Sequence, residues 1–291
     1  MRGDGDGWVR CAAGHRHWGR HGAAGLLLRD QDGRVVLQHR AWWSHQGGTW
    51  GVPGGARDSG ETAVVAALRE TGEEAGIDPA AVRPYGQLVD DHGGWAYSTV
   101  LGLPVGPVDP APTGGESEDV RWVEADAVPG LPLHPGFAAA WPRLRQAPAP
   151  LLLVVDAANV VGARGRGDGW WRDRAGATAR LLEALAQVTA GLAAADLPPG
   201  VDAGPLDLLL PRVVVVVEGA ARAVLDGGRE WPVEVVPAPG AGDDTLVEVA
   251  AAAGGDTAVV VTADRGLRNR LDAVGAGWVG PSWLLGRVNA A

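Results

Sequence analysis

Three glutamates at a fixed spacing are the residues of this chain best suited to chemistry. Glu70, Glu73 and Glu74 stand at i, i+3 and i+4, so a helix would carry all three carboxylates on one face. Carboxylate oxygens are hard ligands, and Mg²⁺ or Mn²⁺ held by such groups often completes its shell with substrate phosphates. The alternative interpretation is an acidic helix face that is simply solvated.

The residues around the glutamates indicate how such a helix would be positioned. Gly54 and Gly55 come first, and glycines allow the backbone to approach a ligand closely. A helix is predicted from about Thr62 to Gly76. A glycine at this place suits the left-handed position past a helix end. This helix has a separate apolar side to bury, which favours the metal interpretation of its acidic side. The apolar side consists of Val64, Val65 and Leu68.

The spacing from Gly55 to Ile77 resembles the signature of the Nudix hydrolases, except that Thr71 stands where an aliphatic residue is usual. The resemblance covers about residues 20–145 and implies an α/β/α sandwich around a mixed sheet. It also implies metal-dependent hydrolysis of a nucleoside diphosphate linked to another group, with Mg²⁺ or Mn²⁺ as cofactor. The metal ligands would be Glu70, Glu73 and Glu74, assisted by the Gly55 backbone, and Glu61 and Arg69 would form a structural pair.

Residues outside this signature could complete the site. In similar Nudix sequences an acidic loop before a tryptophan-containing strand supplies a further metal ligand or the base; here Glu118 is the first candidate and Glu116 the second. An exposed acidic loop is the alternative for both. Arg40 could contact a phosphate, or lie at the surface. Trp50 could stack on a nucleobase, or pack in the core.

Residues 1–19 are expected to form an extension rich in glycine, histidine and tryptophan. Cys11, His15 and His17 are metal-ligand types, but three ligands without a fourth make an incomplete zinc site. We therefore favour a structural role for these side chains. Cys11 is the only cysteine, which excludes a disulfide within the chain.

Two larger elements are predicted from local patterns. Strands over 22–28 and 35–39 flank the turn at 29–33, which predicts a hairpin. An amphipathic helix is predicted over about 174–193.

The C-terminal half changes character after a proline-bearing linker at 146–150. From 151 to 291, buried β-branched strands alternate with helices, which predicts a Rossmann-like parallel sheet covered on both faces. Functional groups of such sheets lie at the carboxyl ends of the strands. The acids predicted at that edge as ligands of Mg²⁺ or Mn²⁺ for phosphodiester cleavage are Asp156, Asp243, Asp244 and Asp264. Asp243 and Asp264 could instead cap their helices, but a cap does not explain why Asp156 follows a buried run.

This half resembles the NYN family of PIN-like nucleases in three short motifs, at 155–159, 242–244 and 261–267. The resemblance implies a metal-dependent ribonuclease fold in which Asn159 orients a ligand or a water. A non-catalytic module that binds RNA or a protein partner is the alternative. The candidates to contact RNA are the arginines Arg164, Arg166, Arg172, Arg174, Arg265, Arg268 and Arg270. Trp170 and Trp171 could stack on bases or simply pack.

Whole-chain properties set broad limits. The 291 residues carry a formal net charge of −10 without a basic stripe, so a phosphate-bearing substrate needs a metal to bridge acid to acid. The N-terminus lacks the apolar core of a signal peptide, and no apolar run reaches the length of a membrane span, so a cytoplasmic protein is expected. Which nucleotide is the substrate, and the oligomeric state, stay open.

Overall fold

The computed structural model describes residues 3–164 and 171–288. Arg166 and Trp170, two of the predicted RNA contacts, lie outside these ranges. The chain divides into two compact units. The first comprises Met1–Ala147 with Gly204–Asp207, and the second comprises Pro148–Ala203 with Leu208–Ala291.

The first unit contains nine strands and two α-helices among the described residues. In chain order these are β1 (Trp8–Arg10), β2 (Arg16–Trp18), β3 (Ala23–Leu28), β4 (Val35–Arg40), β5 (Trp50–Gly51), β6 (Gly54–Ala56), α1 (Ala63–Ala75), β7 (Val82–Asp91), β8 (Ala96–Pro104), β9 (Ser117–Val123) and α2 (Pro135–Leu144).

These strands form a mixed sheet, an antiparallel sheet and a small hairpin. The mixed sheet pairs its strands in the order β7–β8–β3–β6, with β3 and β8 parallel and the other two pairings antiparallel. The antiparallel sheet has the order β5–β4–β9. Strands β1 and β2 form the hairpin, so the predicted N-terminal extension has regular structure of its own.

The predicted hairpin of β3 and β4 is wrong. The two strands belong to different sheets, and they meet only in a single bridge between Arg29 and Val35. Asp30 turns the chain between them, because its carboxylate accepts hydrogen bonds from the backbone and side-chain N–H groups of Arg34. Strand β3 is buried along its whole length and pairs instead with β6 and β8.

Helix α1 packs its small residues onto β3. Ala63, Ala66 and Ala67 join Leu26 and Leu28 in one buried cluster, so the helix axis lies close to the sheet. Thr62 caps the helix by accepting the Val65 N–H, and Gly76 ends it with φ +65°. The helix therefore begins and ends where its sequence signals predict. Glu70 and Glu74 continue the line of Ala63 and Ala67 along one helix face, and Glu74 is buried.

The second unit alternates strands and helices. In chain order these are β10 (Leu151–Asp156), α3 (Ala157–Ala163), α4 (Arg174–Ala184), α5 (Ala186–Thr189), β11 (Leu192–Ala193), β12 (Leu208–Leu209), β13 (Arg212–Val217), β14 (Glu234–Pro237), α6 (Gly242–Ala251), β15 (Thr257–Val261), α7 (Arg265–Ala273), β16 (Gly277–Val279) and α8 (Pro281–Val288). The long helix predicted over 174–193 is thus two helices, the first of which ends at Ala184.

Five of these strands form the predicted parallel sheet. Their order is β14–β13–β10–β15–β16, and every neighbouring pair is parallel. All six residues of β10 are buried, as expected for a central strand with both faces covered. Helices α6 and α7 cover one face through Leu246, Leu267 and Leu271. The protein is an α/β protein with a mixed sheet in its first unit and a parallel sheet in its second.

Among the residues that the structure describes, none of the helices combines the length and the apolar character needed to cross a membrane.

Candidate active site

Glu74 is buried beneath the glycine-rich loop. Its side chain is 8% exposed, and its Oε2 accepts a hydrogen bond of 2.8 Å from the backbone N–H of Gly54. Burial raises the pKa of Glu74 to about 7, against the opposing effect of hydrogen bonds from Gly54 and from the fully buried Gln38. A bound cation would stabilise the charged form of this buried carboxylate, to which the charge of Arg40 already contributes.

Glu70 lies against the backbone of Gly55. A Cβ atom added to Gly55 would come within 2.6 Å of the Glu70 carboxyl carbon, so only glycine leaves room for this carboxylate. Burial raises the pKa of Glu70, although Arg69 acts in the opposite direction. The Glu70 carboxylate is therefore enclosed between the backbone of the loop and helix α1.

Glu61 and Arg69 form the pair that joins the loop to the helix. Arg69 donates from Nε and from one terminal nitrogen to the two oxygens of Glu61, each at 2.9 Å, and it also donates to the Ala56 carbonyl and to Glu70. The hydrogen bonds from Arg69 lower the pKa of Glu61 and in turn raise that of Arg69. A planar guanidinium is needed for this many directed contacts.

Replacing Arg69 by lysine should lower the free energy of unfolding by about 1–2 kcal/mol, because an ammonium group cannot make the paired bonds to Glu61 and leaves half-buried acceptors unsatisfied. The measurement is chemical denaturation of the full chain. Arg145→Lys is the matched control, since Arg145 and Asp126 form an exposed pair whose change should cost less than about 0.5 kcal/mol. Equal losses in both variants would contradict this role of Arg69.

The third glutamate, Glu73, is directed toward solvent. Its side chain is 60% exposed, and its nearest ion-pair contact is with Arg69 at 3.7 Å. In the part of the chain that the structure describes, the three carboxylates do not all come within 4.8 Å of one another. They share a helix face, but their side chains point in different directions. Glu70 contacts Arg69, Glu74 contacts Gly54, and Glu73 is directed toward solvent.

Glu118 lies on the other face of its strand. The preceding residue, Ser117, is buried beside Gln38 and the Glu74 carbonyl. Glu118 instead contacts Nδ1 of His39 at 3.2 Å and accepts the backbone N–H of Trp42. Of the two loop acids, Glu116 is the one whose charge contributes to the raised pKa of Glu70.

A cavity of about 310 Å³ opens beside Gly54. Its wall includes Arg40, Tyr97 and His134, which sequence motifs did not single out as a group. Burial lowers the pKa of His134 to about 4, with a further contribution from Arg40, so this imidazole is neutral at pH 7. Its Nδ1 accepts the Gly136 N–H at 3.2 Å, which leaves Nε2 as a hydrogen-bond donor. The cavity thus offers one cation and a neutral donor beside the buried carboxylate.

Trp50, predicted as a candidate to stack on a base, is a packing residue here. Its side chain is 6% exposed and lies between the ring of His39, at 4.9 Å, and the guanidinium of Arg121, at 4.7 Å. The tryptophans that follow β4 are exposed instead, Trp42 by 79% and Trp43 by 57%.

In the second unit, Asp156 lies at the carboxyl end of the central strand. Its carboxylate accepts hydrogen bonds from the backbone and side-chain N–H groups of Asn159 and from the hydroxyl of Thr262. Asp156 thus caps helix α3, which accounts for a charged residue after the buried run. Burial raises its pKa, and the charge of Glu218 adds to the effect.

Glu218 is an acid at this edge that no motif indicated. It follows β13 and accepts the Gly242 N–H at 2.6 Å, at the start of helix α6. The predicted alternative, that Asp243 caps this helix, is therefore wrong, because Glu218 takes that role. Burial and the charge of Asp264 raise the pKa of Asp243. Asp264 caps helix α7, and Asp244 forms an exposed ion pair with Arg270. The carboxyl edge of the parallel sheet therefore carries acids that follow three different strands, although most of these acids have structural partners.

The sequence of the first unit is similar to that of known proteins. A model of the NUDIX domain matches residues 19–145. A protein of Mycobacterium tuberculosis named "Putative 8-oxo-dGTP diphosphatase 3" is 51% identical over 166 residues, which are 53% of this chain and 75% of that protein. A "Nucleoside triphosphate pyrophosphatase/Nudix hydrolase fusion protein" of Bifidobacterium longum is 46% identical over 147 residues, 48% of this chain and 30% of that protein.

Among solved structures, the Nudix hydrolase RenU of M. smegmatis shares 49% identity, with a TM-score of 0.46, and the match covers 49% of this chain and 94% of that one. Because the NUDIX domain model matches and the chain covers 75% of a relative with which it shares 51% identity, the chain belongs to the Nudix family of hydrolases, enzymes that act on phosphoric anhydride bonds.

Proposed function

We propose that the chain hydrolyses a nucleoside diphosphate-linked substrate with the help of Mg²⁺ or Mn²⁺. The carboxylates of Glu70, Glu73 and Glu74 would hold the metal, together with the carbonyl of Gly55. The observation that carries this proposal is the close approach of loop and helix, with Glu70 filling the space beside Gly55 and Glu74 bonded to Gly54. Carboxylate and carbonyl oxygens are the donors that these ions prefer, so the residues present fit the group.

When bound, such a metal activates a water and polarises the diphosphate. The chain's own residues would supply the rest. Arg40 lines the cavity and would neutralise a phosphate, and neutral His134 would donate a hydrogen bond to the substrate. Glu118 and Glu116 are the candidates for a further ligand or the base. Because the charge of Glu116 acts on Glu70, its position supports Glu116 over Glu118 for this role.

For the substrate, we propose a purine nucleoside triphosphate carrying an oxidised base. The support is the relative from M. tuberculosis, whose name specifies 8-oxo-dGTP, and a cavity of about 310 Å³ with aromatic side chains in its wall. Those aromatic residues are Trp95, Tyr97 and Phe137.

A substrate panel tests this assignment. The full chain with Mg²⁺ is offered 8-oxo-dGTP, dGTP, a diadenosine polyphosphate, ADP-ribose and RNA with a 5′-triphosphate end. We expect release of a nucleoside monophosphate and pyrophosphate from 8-oxo-dGTP, with kcat/KM at least about 10-fold above that for dGTP, since a discriminating hydrogen bond is worth about 1.4 kcal/mol or more. Faster turnover of ADP-ribose or of RNA would assign the site to another diphosphate class.

For residues 151–291 we propose an NYN/PIN-like domain that follows the linker at 146–150. The observation in favour of metal-dependent RNA cleavage is the set of acids at the carboxyl edge of the parallel sheet, where the charges of Asp264 and Glu218 act on Asp243. Asn159 would position a ligand, since it already bonds Asp156 and the Ala263 N–H. A non-catalytic module that binds RNA or protein is the alternative.

The nuclease proposal is tested in the full chain carrying Glu74→Gln, which silences the first site. We expect cleavage of single-stranded RNA with Mn²⁺, reduced at least about 100-fold by Asp156→Asn, because metal-ion catalysis supplies several kcal/mol. Asp226→Asn, at an exposed position, is the matched control. RNA binding without cleavage would favour the binding module, and cleavage unchanged by Asp156→Asn would exclude this site.

A further inference from the structure

The fold brings a fourth metal-ligand residue to Cys11, His15 and His17. His92, in the turn between β7 and β8, joins them, and one ligand atom of each residue lies within 4.8 Å of those of the other three. Among the described residues, this is the one group of cysteine, histidine or carboxylate side chains whose ligand atoms lie this close together. The hairpin β1–β2 contributes three of the ligands and the β7–β8 turn the fourth.

Backbone hydrogen bonds hold the two loops together. Cys11 and His15 are joined by a tight turn, in which the Cys11 N–H donates to the His15 carbonyl at 3.1 Å. The Ala12 N–H donates to the Gly93 carbonyl at 2.8 Å and links the hairpin to the second turn. Gly93 has φ +72°, and a Cβ there would lie 2.9 Å from that of Ala12. The ligand residues are thus placed by main-chain geometry that does not depend on a metal.

The donor set and its surroundings fit zinc. One thiolate and three imidazoles make a closed four-ligand site of the structural type. Nε2 of His17 is buried without a hydrogen-bond partner, which is costly unless another ligand satisfies it. Nε2 of His92 lies 3.1 Å from Oδ2 of Asp90, the type of carboxylate contact that orients ligating histidines. Ligand atoms of tetrahedral zinc lie about 3.3–3.6 Å apart, so side chains would close in by about 1 Å.

The cluster adjoins the cavity proposed for the substrate. His17, His92 and Asp90 line it, and Trp95, on which the His17 ring stacks at 4.0 Å, lies in the same wall. A metal at this position would fix that wall and the N-terminal hairpin in place. We propose that Cys11, His15, His17 and His92 bind one structural Zn²⁺, which anchors hairpin β1–β2 to the β7–β8 turn. The proposal does not depend on the identity of the nucleotide substrate.

Zinc content and cobalt spectroscopy of the full chain test the proposal. The protein is prepared without a histidine tag, and excess Mg²⁺ occupies the glutamate site. We expect about one equivalent of Zn²⁺ per chain, as four protein ligands imply. Replacement by Co²⁺ should give a thiolate-to-cobalt charge-transfer absorption that is lost in Cys11→Ser. His21→Gln, an exposed histidine outside the cluster, is the matched control and should bind like the parent.

Because Cys11 is buried, Cys11→Ser could fail to fold, so His15→Gln at an exposed position provides a second variant. It should keep the far-ultraviolet circular dichroism of the parent and bind Zn²⁺ at least about 100-fold more weakly, since even second-shell changes cost about 10–100-fold. Zinc-free parent protein after reconstitution, or parent-like affinity in folded His15→Gln, would overturn the proposal. Hydrolysis in Mg²⁺ is read separately, so its absence does not bear on this site.

Discussion

Glu74→Gln should abolish hydrolysis and at the same time stabilise the metal-free chain. The glutamine keeps an oxygen to accept the Gly54 N–H, but it removes a charge from a site that is 8% exposed. Loss of a metal ligand removes several kcal/mol of transition-state stabilisation, so kcat should fall by at least about 1,000-fold. The gain in stability follows from the same burial that raises the pKa of Glu74 to about 7.

The sign of the stability effect depends on pH. Between the ordinary carboxyl value of 4.5 and about 7, the folded chain keeps a proton on Glu74 that the unfolded chain has lost. Wild-type stability therefore falls as the pH rises through this window, and the variant escapes that fall. In EDTA the variant should be more stable by up to about 3 kcal/mol at pH 8, and by less than about 1 kcal/mol at pH 5.

Two further variants separate these effects. Glu73→Gln removes a proposed ligand that is 60% exposed, so it should lose activity without the pH-dependent gain in stability. Glu124→Gln changes an exposed glutamate away from the site and should alter neither property. Denaturation in EDTA at both pH values is the measurement. Equal stability of wild type and Glu74→Gln at pH 8 would show that burial does not destabilise the charged form of Glu74.

Gly55→Ala should damage the site while leaving the fold intact. The new Cβ would lie 2.6 Å from the Glu70 carboxyl carbon and within 2.7 Å of both its oxygens. The carboxylate is the flexible end of a side chain, so it would swing away, and stability should change little. Since a misplacement of about 1 Å costs about 100-fold in rate, kcat/KM should fall by about that factor, with a weaker dependence on Mg²⁺.

Gly72→Ala is the matched control for that variant. Gly72 lies on the same helix, and a Cβ there would meet no atom closer than 3.4 Å. It should retain activity and gain about 0.5–1 kcal/mol in stability, because alanine is favoured over glycine inside a helix. If Gly55→Ala kept the activity of Gly72→Ala, the enclosed position of Glu70 would have no catalytic importance.

Helix α1 shows what local sequence signals can predict. Its cap at Thr62, its end at Gly76 and the acidic face between them follow from neighbouring residues, and the structure has all three. The directions in which Glu70, Glu73 and Glu74 project could not be predicted in this way. They depend on Arg69, Gly54 and the burial of Gln38, and the last two come from other strands.

Long-range pairing explains the predictions that failed or were incomplete. Strands β3 and β4 carry a good turn between them, but partners elsewhere in the chain draw them into different sheets. Asp243 has the position of a helix cap, but Glu218 takes that role from the end of a neighbouring strand. The cluster at Cys11 seemed one ligand short, because His92 lies far along the chain. In each case topology supplies a residue that local patterns cannot indicate.

We propose that the face of helix α1 holds a catalytic divalent metal beside Gly55. Crystals of the full chain grown with MnCl₂ test it directly through anomalous scattering at the manganese edge. We predict a peak in coordinating distance of the carboxylates of Glu70 and Glu74 and of the Gly55 carbonyl, absent in crystals of Glu74→Gln. No peak at these oxygens in active wild-type crystals, or an unchanged peak in the variant, would contradict the assignment.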